Sequence, residues 1–241
     1  MTVRRSAMSS ASRVLLALFL FGSAGCREES PSSPTTTPSD TITAPLAPPT
    51  VGRLRVAQLT LDARTVTVAI DGEQVAAGLG FPSVSAYLEL SSGPHRVQFF
   101  PARDPSTALV ETNVSVVGGG SMTVAVVGND PVSIVTIQDD TTPPSEHAQV
   151  RLFNAVRDFP APFDLGIVNG PKVVENVFYL DASSYRPLIP GFYDFVLQRA
   201  GSEESIAVID GALTPLTNST VFAVGTLGRG DITMIVVRDE T

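Results

Sequence analysis

The 241-residue sequence has one cysteine, no tryptophan and two histidines, and each scarcity excludes something. With Cys26 alone, an intrachain disulfide is impossible, so apolar burial is expected to hold the folded part by itself. His95 and His147 have no Cys, Ser or second His at ligand or triad spacing, so neither a His-centred metal site nor a nucleophilic triad is expected. Both read as solvent-exposed or edge-strand side chains. Lysine occurs once, at Lys172, and the formal net charge is −8. A chain this acidic repels phosphate backbones, which argues against nucleic acid as a partner. Long apolar runs are also missing. The longest near the N-terminus, Val14 to Phe21, is far short of the roughly 20 residues a membrane-spanning helix needs.

That short run has the flanks of an export signal. Arg4, Arg5 and Arg13 precede it, and the small residues Gly22, Ser23, Ala24 and Gly25 lead to Cys26. Ala24-Gly25-Cys26 resembles the bacterial lipobox, with Ser23 where leucine is usual. The resemblance implies a signal peptide over 1–25, cleavage before Cys26, thioether lipidation (and palmitate-type acylation) of Cys26, and anchoring in the cell envelope. More than one acyl chain suits the physics, since a single chain binds a bilayer only marginally. Arg27 in place of Asp resembles lipoproteins destined for the outer membrane, periplasmic or surface facing. Removing the three signal arginines takes the net charge to −11. Residues 26–50 then form a linker: six prolines and ten Ser/Thr between Glu28 and Thr50 cannot bury enough apolar surface to fold. As extended polyproline it would reach about 75 Å.

Beyond the linker the chain repeats itself. Leu54-Arg55-Val56 returns as Val150-Arg151-Leu152, and Ser85-Ala86-Tyr87 as Ser183-Ser184-Tyr185. Val124-Ala125-Val126-Val127-Gly128 returns as Val221-Phe222-Ala223-Val224-Gly225, and the strand before Asp139 as the strand before Asp239. Matched blocks in one order point to two copies, over 51–141 and 148–241, joined across Pro143-Pro144. Within each copy the pattern has period two. Val66, Val68 and Ile70 alternate with Thr65, Thr67 and Ala69, while Met122 to Val127 is apolar on both faces. Asp71-Gly72 and Asn169-Gly170 are hairpin-turn dipeptides. The expectation is all-β: two tandem antiparallel β-sandwiches (Ig-like or transthyretin-like) of seven or eight short strands each.

The second copy carries Arg151-Leu152-Phe153-Asn154-Ala155, Asp158, Pro160-Ala161-Pro162, Asp164, Gly170, Tyr185, Pro190-Gly191-Phe192-Tyr193 and Ala223-Val224-Gly225. In this it resembles the bacterial domain of unknown function 4397 family, which implies exported β-sandwich modules, often in tandem, with no established activity. The family commonly has His-Ala where Asn154-Ala155 stands. The first copy departs further, with Gln58-Leu59 there and Pro94-His95 where Gly-Thr-Tyr is usual.

The remaining candidates for chemistry are sparse. Asp139-Asp140 and Asp239-Glu240 close the two copies, but adjacent strand residues point to opposite faces, and no calcium-loop motif surrounds them. Asp158 and Asp164 suit turn-fixing hydrogen bonds. Gly118-Gly119-Gly120-Ser121 lacks the lysine of a phosphate loop and reads as a turn. Asn113-Val114-Ser115 and Asn218-Ser219-Thr220 match glycosylation sequons. Tyr87 and Tyr185 read as core-edge aromatics with wet hydroxyls. No catalytic residue, metal or cofactor is expected, and no ligand-binding residue is assigned. The function expected is non-catalytic binding, adhesion or structural display from a lipid anchor, toward an envelope or extracellular protein or glycan. The alternatives are an envelope carbohydrate hydrolase, needing two carboxyls about 5 to 10 Å apart in a cleft, and a carbohydrate-binding protein. Four tyrosines without tryptophan count against the last.

Overall fold

The computed structural model describes residues 50–239 except 62, 64, 129 and 130. The signal segment, Cys26, the Ser/Thr/Pro-rich linker before residue 50, and Glu240 lie outside the described residues. Among those described there is no α-helix, only a 3-10 turn at Leu227–Arg229, and no helix long and apolar enough to cross a membrane.

The first copy contains β1 (Val51–Gln58), β2 (Thr65–Ile70), β3 (Glu73–Gly80), β4 (Ser83–Val84), β5 (Leu88–Ser91), β6 (Gly93–Pro101), β7 (Val110–Val116), β8 (Ser121–Gly128) and β9 (Val132–Asp139). The second contains β10 (Ala148–Arg157), β11 (Phe163–Ile167), β12 (Lys172–Val177), β13 (Arg186–Leu188), β14 (Gly191–Arg199), β15 (Ser205–Leu213), β16 (Asn218–Thr226) and β17 (Thr233–Arg238). Each copy is a two-sheet sandwich. One sheet is ordered β4-β1-β8-β9, with β5 also on β1, and faces β3-β2-β6-β7; the second copy has β13-β10-β16-β17 facing β12-β11-β14-β15.

The sheets are not antiparallel throughout, as the sequence pattern suggested. β1 pairs with β8 in parallel, and β10 with β16, while the other pairings are antiparallel. Between its first and its parallel partner strand each copy builds the whole facing sheet, returning once on the way to the other edge of the first strand (β4 and β5 on β1, β13 on β10), so that β8 and β16 re-enter beside β1 and β10 in the same direction. Alternation of side chains is the same in either direction, so sequence cannot distinguish them.

Alternation does fix the faces. Val66, Val68 and Ile70 turn inward with Leu54, Val56, Val97, Phe99 and Val124 to form the first core. Val150, Leu152, Phe163, Leu165, Phe195, Leu197 and Val221 form the second. The residues in between on β1, β8, β10 and β16 are buried too, because the two copies pack these sheets together. Ala57, Leu59, Ala125, Val127, Ile137, Phe153, Ala155, Phe222 and Val224 make one cluster across the seam. β8 and β16 are consequently buried along their whole length, and the described residues of both copies form one compact unit.

Both copies place a glycine at the end of a central strand or one residue before it, for a backbone reason. Gly225 has φ 119, and a Cβ there would lie 2.5 Å from the Asp231 carbonyl oxygen; its counterpart Gly128 has φ 81. Gly225→Ala is therefore expected to lower stability by at least about 1–3 kcal/mol, measurable by denaturant unfolding.

Candidate functional site

An arginine lies in the middle of the first strand of each copy. Leu54 and Val56 face their own core, so Arg55 must point into the seam, where it is 1% exposed; Arg151 does the same at 3%. A buried guanidinium is costly unless its donors are met and its charge balanced. The two copies meet that demand crosswise. Arg55 donates from Nη2 to Asp239 Oδ1 and from Nη1 to the Arg238 carbonyl (2.9 Å), and Arg151 donates to Asp139 Oδ1 and the Gln138 carbonyl (2.8 Å). Each remaining Nε–H goes to a threonine of its own copy, Thr123 or Thr220, at 2.8 Å.

The second carboxylate oxygens are equally occupied. Asp139 Oδ2 accepts from Thr123 (2.6 Å) and the Tyr87 hydroxyl (2.7 Å), and Asp239 Oδ2 from Thr220 (2.6 Å) and Tyr185 (2.7 Å). Each tyrosine ring also covers the arginine of its own copy, with guanidinium carbons 4.7 Å from the Tyr87 centroid and 4.6 Å from that of Tyr185. The Ser-x-Tyr spacing serves this placement. Ser85 accepts the Val56 N–H and Ser183 the Leu152 N–H, each at 3.0 Å, and two residues on the tyrosine reaches its aspartate. Burial pushes both phenols far above their usual range, so they remain donors. Burial also opposes the charge on Arg55, but Asp239 and Asp139 outweigh it and raise its pKa further.

Several sequence expectations change here. Tyr87 and Tyr185 have satisfied hydroxyls, not wet ones, because the carboxylates lie within reach. Asp139 and Asp239 spend both oxygens on Arg, Thr and Tyr and so have none to spare for calcium or a substrate. Apolar burial is not the whole of what joins the copies, because a charged lock accompanies it. Sequence reasoning noticed the repeated arginines and final aspartates but not their pairing. The available signal was an arginine at the same register in both first strands, between two residues that face the core.

The other candidates are separate from this cluster. His95 is buried at 8% on a central strand, neither exposed nor at an edge as expected. The Asp71 carboxylate of the neighbouring hairpin turn lies 2.6 Å from Nδ1, and the Ser91 carbonyl 2.7 Å from Nε2. Asp71 and Ser91 raise the His95 pKa above its ordinary 6.5, while Arg96 N–H and His95 hold Asp71 below 3.8. A raised histidine adds stability below its unfolded pKa and loses it as pH climbs through the folded value. A depressed aspartate adds stability above its unfolded pKa and loses it as pH falls through the folded value. The clamp is therefore fully engaged only between the ordinary aspartate and histidine ranges. Asp71→Asn is expected to flatten the fall in melting temperature from pH 6 to 9, which thermal scans across that range would measure.

His147 is exposed, 3.7 Å from Glu146. Asp164, buried, accepts from the Asn176 N–H (2.8 Å) and pairs with Lys172 (3.0 Å), whereas Asp158 has φ 60 and faces Arg157 at 3.8 Å. Asn154 and Gln58, at the position where the related histidine would stand, each bind nearby backbone: Asn154 donates to the Val177 carbonyl (3.0 Å), and Gln58 Oε1 accepts from Thr60 N–H (3.2 Å). Asn218 is 3% exposed and donates to the Asp140 and Thr142 carbonyls, so its sequon is closed to a glycosyl donor.

The outer face of the β12-β11-β14-β15 sheet differs in kind. Phe192 on β14 is 92% exposed and Val208 on β15 is 56% exposed. Asp194 faces Asp210, and Val196 faces Val208, across the same strand pair. The matching face of the first copy is polar, with Arg96 bound to Glu111 at 2.6 Å and Gln98 at 2.9 Å from it.

A tandem pair of β-sandwiches locked by reciprocal Arg–Asp–Thr–Tyr clusters is thus the class of protein that fold and site define. The chain belongs to the domain of unknown function 4397 family (DUF4397), whose model matches residues 52–162 and again 148–241. No curated protein matches it. Among solved structures it is similar to a family 26 carbohydrate-binding module of Eubacterium rectale Amy13K in complex with maltoheptaose, at 11% identity over 76% of this chain and 96% of that one, TM-score 0.27. It is also similar to the Bacillus anthracis TIE protein, at 14% identity over 73% of this chain and 34% of that one, TM-score 0.24. A family 41 carbohydrate-binding module of streptococcal virulence factors, described as recognising alpha-glucan, matches at 9% identity over 71% and 93%, TM-score 0.25. At these TM-scores the likeness carries no argument about function.

Proposed function

We propose that this chain is a lipid-anchored, non-catalytic binding module of the bacterial cell envelope, presenting two locked sandwiches as one body. The observation that carries the binding part is the sheet face around Phe192, where an almost fully exposed aromatic stands next to the Asp194–Asp210 pair, with Val208 beyond that pair on the same face. Single exposed apolar residues are ordinary; an apolar and acidic sheet face opposite a polar one in the sister copy is a better mark of recognition. The Arg55, Arg151, Asp139, Asp239, Tyr87 and Tyr185 side chains are spent on one another in the lock. Anchoring rests on the sequence before Cys26, and the linker supplies the reach.

Two measurements test this reading. Cys26→Ser should move the protein from the membrane fraction to the soluble one; unchanged fractionation and no lipid mass on Cys26 would remove the anchor. Phe192→Ser in the released protein should abolish sedimentation with isolated envelopes at unchanged melting temperature. Equal sedimentation of the two would remove the face. Sedimentation that survives protease treatment of the envelopes but is lost on periodate oxidation would select the carbohydrate-binding alternative.

A further inference from the structure

The lock has a property that its polar residues do not explain. Arg55, Thr123, Tyr87 and Asp139 of the first copy are matched one for one by Arg151, Thr220, Tyr185 and Asp239 of the second. Because the two sets are the same, they would satisfy one another equally well between two first copies, two second copies, or one of each. The polar residues hold any pair and choose none.

The apolar residues of the seam are unlike. The cross-strand pair Ala57 and Ala125 in the first copy stands where the second has the cross-strand pair Phe153 and Phe222. The reverse occurs one step along, where Leu59 answers Ala155. All six belong to a single buried cluster. The two phenylalanines meet edge to face at 5.8 Å, and Phe222 reaches across to within 6.0 Å of the Arg55 guanidinium. Large side chains of one copy thus fill space left by small ones of the other. A pair of first copies would put four alanines together and leave a cavity, and a pair of second copies would crowd four phenylalanines; both situations are destabilising.

We infer that this seam is a pairing surface coded for unlike repeats: the partner that fits the first copy is a second copy, and neither fits another of its own kind. Side-chain size sets the choice, while the reciprocal Arg–Asp clusters set the register. The connector is not what holds the pair together. It is exposed at Ser145, Glu146 and His147, and Asn218 grips it earlier, at Asp140 and Thr142.

The test uses the folded chain with a protease site inserted between Ser145 and Glu146. After cleavage, the two pieces are expected to co-elute as a one-to-one complex at micromolar concentration. Separation of the pieces would overturn the inference. In the uncut chain, Ala57→Phe/Ala125→Phe and Phe153→Ala/Phe222→Ala should each lower the melting temperature by about 10 °C or more. The fourfold exchange, which moves the aromatics to the other side of the seam, should recover at least half of either loss. Should the exchange be as unstable as the sum of the two pairs, the phenylalanines serve their own sandwich and the inference fails. If the doubly substituted chains do not fold, recovery of a folded fourfold variant supports it and failure to recover one refutes it.

Discussion

Arg55→Ala is expected to cost about 3–5 kcal/mol of unfolding free energy, because it leaves Asp239 buried with one oxygen unpaired. Both side chains of that pair are within 1% of full burial. On a domain of this size the loss lowers the melting temperature by about 2–4 °C per kcal/mol, so a fall on the order of 10 °C is the reading in a calorimeter. Arg151→Ala should behave alike, since Asp139 is left in the same state. The size of the loss is not the worth of the pair. Desolvating two charges offsets most of their attraction, so replacing Arg55 and Asp239 together by apolar residues of similar volume should cost much less than the single change. A double-mutant cycle on Arg55 and Asp239 separates these cases. A single-variant loss below about 1 kcal/mol, in the range of exposed pairs, would mean that water reaches the seam.

What this cluster does for the fold follows from where its members lie along the chain. Arg55 and Asp239 are 184 positions apart, so their pairing belongs to the docking of two sandwiches and not to either one. That is also why it was not legible in the sequence. Period-two alternation places Arg55 opposite the core face of Leu54 and Val56, but it cannot say whether water or a second sheet lies there. Strand content, the tandem copies and the turn at Asp71-Gly72, with φ 53 and 85, were legible because they are local. The parallel β1–β8 pairing was not, since side-chain alternation is blind to strand direction. His95 was misjudged for a related reason. Its position after Gly93-Pro94 looked like a strand start near water, whereas the Asp71 turn folds over and pairs with it. Phe192 was read within the family-like Pro190-Gly191-Phe192-Tyr193 run, yet its outward direction depends on which of two adjacent aromatics meets the core. Tyr193 packs against that core, and alternation then sends Phe192 to the surface.

The second large effect tests whether the lock makes the two sandwiches one cooperative unit. Phe99 lies at 0% exposure in the first core and Phe195 at 0% in the second, with no shared neighbours in those clusters. Phe99→Ala and Phe195→Ala should each cost about 3–5 kcal/mol through lost transfer energy and the cavity left behind. If the sandwiches unfolded independently, either change would shift one of two transitions and leave the other in place. Joined by the buried charges and the seam cluster, they should instead melt together, so that each substitution lowers a single transition. Adding Arg55→Ala and Arg151→Ala to Phe195→Ala should divide that transition, with the second sandwich melting first. Two resolved transitions in the unaltered protein would show that the copies are neighbours without being coupled. A single transition that divides only when the arginines are removed places the coupling in the four charged residues, because the core substitutions alone leave the seam untouched.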